Sequence, residues 1–102
     1  MWGFFIKERI MADTIPNVIV TDTPTKLSTL TATAIADGAA CRVKNEGGNI
    51  VKFAISAVTP DKTGYKSIPI QGYGCEREFA SGENAIWLWV DRGTGKVNAE
   101  LA

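Results

Sequence analysis

Glu76 and Glu78 are spaced for paired-carboxylate chemistry, because on a strand they share one face while Arg77 lies on the other. General acid–base work would need a cleft around them, and nothing else in the sequence marks one. A solvated or interface face is the simpler reading. Gly93-Thr94-Gly95-Lys96 has the flavour of a phosphate loop, but no glycine stands five positions before Gly95, Val97 follows Lys96, and a strand comes next. A hairpin turn accounts for it better. Cys41 and Cys75 are the only cysteines, and there is no histidine. A Cys/His zinc site and a Cys-His or Ser-His-Asp nucleophile system are therefore excluded by composition. Two small, buried, reduced thiols are the simpler reading of the cysteines; a single disulfide stays open if their strands lie adjacent.

The aromatic residues are better organised. In Ala85-Ile86-Trp87-Leu88-Trp89-Val90, Trp87 and Trp89 fall on one face of a strand and Ile86, Leu88 and Val90 on the other. A strand apolar on both faces must be covered on both, by its own domain or by a partner. Burying two tryptophans at an interface removes roughly 300–500 Å² from water, worth about 8–12 kcal/mol before the costs of association. Trp87 and Trp89 are therefore candidate interface residues. Aromatic sets also stack sugars or single-stranded bases, and carbohydrate stacking stays open here.

These residues need strands to position them. After Val90, Asp91–Gly95 reads as a turn, and Val97, Ala99 and Leu101 alternate with Lys96, Asn98 and Glu100, so the C-terminus reads as a hairpin. Ala39–Asn45, the turn Glu46-Gly47-Gly48-Asn49 and Ile50–Ala57 read as a second hairpin. Asn17–Thr21 is a β-branched strand stopped by Pro24. Thr25–Ile35 favours strand, with a short helix open at Ala32–Ala36. Tyr65–Ile70 and the charged Cys75–Ala80 complete the set, separated by the Gly-rich turn Gln71–Gly74. About eight short strands at regular spacing predict an all-β fold, a compact antiparallel β-sandwich or jelly roll, in one domain over residues 15–102.

Residues 1–14 read as an N-terminal extension or arm. Its apolar patch is too short to span a membrane, and no cleavage site follows a proper apolar region. Met11-Ala12-Asp13 has the look of an alternative start. If the arm is made, Trp2, Phe4 and Phe5 are sticky enough to dock on a neighbour. Eleven basic and eleven acidic residues give a net charge of zero, with no basic stripe for nucleic acid. No cofactor is expected, and no membrane partner.

The segment from Ile86 to Val97 resembles the C-terminal ends of small tailed-bacteriophage virion proteins, in which an apolar Trp strand, a short charged Gly turn and a final strand close a compact β-sandwich. The strand near the N-terminus and the Cys41–Val51 stretch fit the same order, so the resemblance spans roughly residues 15–101. It implies a non-enzymatic virion component, synthesised in the host cytoplasm: a capsid decoration (cement) protein, or a tail, fibre, spike or neck accessory. Such proteins usually assemble as dimers or trimers against major capsid or other virion proteins. The expected contacts are Trp87, Trp89, Trp2, Phe4 and Phe5, then Glu76, Arg77 and Glu78. A glycan-binding module and a small cytoplasmic inhibitor of a host defence enzyme are the alternative readings.

Overall fold

Alternation builds the strands. Along Cys41-Arg42-Val43-Lys44-Asn45 the first, third and fifth side chains are buried, and along Gly95–Leu101 Gly95, Val97 and Ala99 are buried between polar neighbours. The computed structural model describes residues 15–63, 66–68 and 75–102. They form β1 (Val18–Val20), β2 (Thr25–Lys26), a one-turn helix α1 (Leu27–Leu30), β3 (Cys41–Asn45), β4 (Val51–Ser56), β5 (Lys66–Ile68), β6 (Glu76–Phe79), β7 (Ala85–Trp89) and β8 (Gly95–Leu101). The expected arm, with Trp2, Phe4 and Phe5, lies outside the described residues, as do Tyr65, Pro69, Ile70 and the Gln71–Gly74 turn.

Two antiparallel sheets face each other. Sheet A has the order β1-β8-β3-β6 and sheet B the order β2-β7-β4-β5. Four of the pairings are nested, β1 with β8, β2 with β7, β3 with β6 and β4 with β5. That is one long hairpin with its bend between β4 and β5. Rolling it up adds the remaining contacts, β3 with β8 and β4 with β7. A rolled long hairpin of eight strands is a jelly roll. Between the sheets lie Val20, Val43, Val51, Phe53, Ile68, Phe79, Ile86, Leu88, Val90 and Val97, with Leu27 and Ile35 closing one side. Phe53 and Phe79 meet edge to face across the gap, 5.0 Å between ring centroids.

Apart from Thr25–Ile35, the described strands fall where the sequence predicts them, but their pairing differs. Neither expected hairpin forms. Cys41–Asn45 and Val51–Ser56 belong to opposite sheets, as do Ala85–Trp89 and Gly95–Leu101. The links at residues 46–50 and 90–94 are arches that cross the core. Both flanks of β3 are taken by β6 and β8, and both flanks of β7 by β2 and β4, so no room is left for the sequence neighbour. Glycine-rich links serve a hairpin or an arch equally well, so turn chemistry does not decide between them.

One carboxamide shapes the first arch. Asn45, 3% exposed, donates through Nδ2 to the carbonyls of Asn49 (2.7 Å) and Ile68 (3.1 Å) and accepts from the Gly47 amide (2.9 Å). Asn49 then donates to the carbonyls of Arg92 (3.1 Å) and Thr94 (2.7 Å) in the second arch. A Cβ on Gly47 would stand 2.9 Å from the Lys96 nitrogen, and one on Gly95 2.9 Å from Val90 Cγ1, so the arches pack at glycine distance.

Thr25–Ile35 is a second correction. Strand β2 is two residues long, and the helix is Leu27–Leu30 rather than Ala32–Ala36. The Thr33 amide bonds the Ser28 carbonyl and the Ala32 amide the Thr29 carbonyl, which ends the helix in a left-handed turn at Ala32 (φ 53°) and Thr33 (φ 66°). Thr31 is buried and satisfied, donating to the Leu27 carbonyl and accepting from the Ile35 amide.

The cysteines are free. Their strands do lie side by side, but Cys41 pairs with Phe79, and the Cys75 carbonyl accepts from the Asn45 amide at the other end of β3. Four strand residues separate the two levels, about 13 Å, whereas a disulfide needs Cα atoms within about 7 Å. Cys41 is fully buried, as expected, and burial pushes its thiol pKa up; Cys75 is only half-buried.

Two expectations follow. Replacing Asn45 by Ala leaves the buried Ile68 carbonyl and two half-buried backbone groups without this partner and lowers unfolding free energy by about 1–3 kcal/mol in urea titration. In thiol titration with an aromatic disulfide reagent, the native chain exposes Cys75 alone, and Cys41 reacts only after unfolding.

Candidate functional site

Every buried inner residue of a strand leaves its neighbours on the outer face, and the two outer faces differ. On sheet A the register sets Arg42 between Glu78 and Glu100, and Lys44 between Glu76 and Asn98. Arg42 Nε pairs with Glu76 Oε2 at 2.9 Å and its Nη2 with Glu100. Glu76 and Glu78 share this face, as strand geometry requires. Arg77 lies on the opposite face of β6 and donates to the Ser67 carbonyl at 3.0 Å, tying the edge of sheet A to the edge of sheet B. Arg42, Glu76 and Glu100 are each a little over two-fifths exposed, so these pairs are screened by water and each contributes less than about 1 kcal/mol.

Beside this charged row lies a row of small residues, Ala80, Ala40 and Ala102. The step between them makes an open hollow of about 570 Å³, bordered by Arg42, Glu78 and Leu101. Both buried polar side chains among the described residues, Asn45 and Thr31, lie elsewhere and are already hydrogen-bonded. The hollow is open to solvent, and the two carboxylates stand on an open face rather than in a cleft.

The outer face of sheet B is aromatic. Trp87, Trp89 and Ala85, with Ala54, form a small apolar cluster of their own, separate from the core between the sheets. Trp87 Nε1 donates to the Ser56 carbonyl at 2.9 Å, and Lys26 Nζ stands 5.7 Å from the centre of the ring. The strand apolar on both faces is therefore covered on both within the chain: Trp87 is 8% exposed and Trp89 1%. Their rings offer almost no free surface to a subunit or to a sugar. Trp2, Phe4 and Phe5 lie outside the described residues.

Sequence reasoning passed over two clusters. Arg42 lies among carboxylates on adjacent strands, a relation that depends on register alone. Ser28 donates to Asp37 Oδ1 at 2.6 Å, and Lys26 stands 3.5 Å from Oδ2. The Ser28 hydroxyl chiefly, with Lys26 beside it, holds the Asp37 carboxyl below the usual carboxylate range. This exposed cluster ties α1 to the turn at Gly38. Among the described residues no group of three or more histidine, cysteine or acidic residues is arranged to hold a metal ion, and no helix is long and apolar enough to cross a membrane.

Comparison with protein-family models, with curated proteins and with solved structures finds no match for this chain.

The two faces predict opposite responses to truncation. Trp87→Ala removes a buried ring and costs about 3–5 kcal/mol of stability, whereas Arg42→Ala costs less than about 1 kcal/mol, both read from chemical denaturation.

Proposed function

We propose that this chain is a virion structural protein, a capsid decoration (cement) protein that stabilises a head by bridging neighbouring major capsid subunits. The observation that carries this reading is the rolled eight-strand order of the two sheets, an architecture that recurs in viral shell domains. The resemblance of Ile86–Val97 to small phage virion proteins points the same way. Architecture alone hosts many functions, so the reading also needs a surface. The outer face of sheet A supplies one, with exposed charges of both signs in register and the charged strand Glu76-Arg77-Glu78 at its edge.

In this reading each copy lays that face across a seam between shell subunits. Charged rows set position and register, and the alanine hollow admits a protruding side chain from the shell. Trp87 and Trp89 contribute indirectly, by stiffening sheet B, since their rings are buried in the chain itself. Dissociation then has to break several weak contacts together, which is how a small clip adds resistance to a large shell.

Quantitative mass spectrometry of purified particles, calibrated against the major shell protein, tests the proposal. Hundreds of copies per particle are expected. A few to a dozen would move the protein to a tail, neck or spike position, and absence would overturn the virion reading.

A further inference from the structure

Among the described residues, strand β6 ends sheet A, and no strand pairs with its outer flank. It is the longest edge strand among the described residues, and Glu76, Arg77 and Glu78 are all exposed. Among the described residues Glu78 carries no ion pair, and Arg77 donates to the Ser67 carbonyl. An edge of this kind takes an added strand if side chains on each face match across the new pair.

A second β6 does not match. Two-fold antiparallel pairing centred on Arg77 sets Glu76 against Glu78 on the outer face and Arg77 against Arg77 on the inner face, and like charges directly opposed are destabilising. The edge is guarded against its own copy. Charge repels the wrong strand and selects a strand of the reverse pattern.

This chain holds that reverse pattern once outside the described residues, at Ile6-Lys7-Glu8-Arg9-Ile10. Laid antiparallel to β6, Lys7 opposes Glu78, Glu8 opposes Arg77 and Arg9 opposes Glu76. On the inner face Ile6 then falls beside Phe79 and Ile10 beside Cys75. Five successive positions are matched, three by opposite charge and two by apolar character. The geometry points to this segment of one copy as the added strand on β6 of another copy.

Reach favours exchange between copies over docking within one. Strands β1 and β6 are the two opposite edges of sheet A. A strand added beyond β6 lies four spacings from β1, about 19 Å. Ile15 precedes β1, and the six residues back to Arg9 span at most about 20–22 Å when fully extended. Within one copy the chain would cross the sheet at full stretch, with no length left to turn and run along β6. A neighbouring copy presents its edge with no such limit.

The inference concerns contacts between copies of this chain, so it is tested without any particle and stands apart from the virion reading. The full-length chain is prepared as wild type, as an arm-reversed variant (Lys7→Glu with Arg9→Glu) and as an edge-reversed variant (Glu76→Lys with Glu78→Lys). Mass is measured by light scattering after gel filtration, and folding by thermal melting. The wild type is expected at two or more times the monomer mass, and each variant at the monomer mass. An equimolar mixture of the two variants should at least double in mass again, because each arm then meets an edge of opposite sign. Glu76 also contacts Arg42, so Glu78→Lys alone serves as the edge variant if the double variant melts early. A monomeric wild type, or a mixture that stays monomeric while both variants remain folded, would overturn the inference.

Discussion

Two carboxamides at one end of the sandwich fasten the arches through which the chain closes. Asn45 replaces the missing strand-to-strand bonds at the point where β3 leaves sheet A, satisfying the Asn49 and Ile68 carbonyls and the Gly47 amide with one side chain. Asn49 bonds the Arg92 and Thr94 carbonyls of the second arch at an exposed position, linking the two arches. Backbone groups that turn away from a ladder inside a protein must find partners, since each one left unpaired costs about 1–3 kcal/mol. The two arches are thus coupled. β3 and β4 lie in opposite sheets, as do β7 and β8, in keeping with the nested pairing of the other strands.

That closure divides the surface into two unlike faces. Strand β7 runs through the middle of sheet B, with Ile86, Leu88 and Val90 in the core and Trp87 and Trp89 in a second apolar cluster. The largest side chains among the described residues are buried in the outer cluster of sheet B. Sheet A has the opposite character. Its outer side is a lattice of arginine, lysine, glutamate and asparagine in which each charge is half solvated, so its contribution to stability is small and its availability for contact is high.

Much of this was legible in the residues. The period-two pattern of Cys41–Asn45 and of Val97, Ala99 and Leu101 marked strands that form, and the two-faced apolar run Ala85–Val90 announced a strand covered on both sides. The placement of Glu76 and Glu78 on one face and Arg77 on the other followed from the pleat alone. What misled was proximity. The sequences around Gly47-Gly48 and Gly93 suit a tight hairpin, and both instead carry the chain from one sheet to the other. Likewise Cys41 and Cys75 sit on neighbouring strands, yet the register holds them at opposite ends.

The sequence by itself determined the elements: local periodicity places a strand because side chains alternate between water and core within the strand itself. It also determined which chemistries are absent by composition, since no fold supplies a histidine the chain lacks. Only the tertiary structure decided which strands pair, because the choice between hairpin and arch is made by competition for strand flanks far apart in the chain. The same competition decided that Trp87 and Trp89 are buried within the chain, and that Arg42 lies between Glu78 and Glu100, since both depend on which strands come to lie beside them.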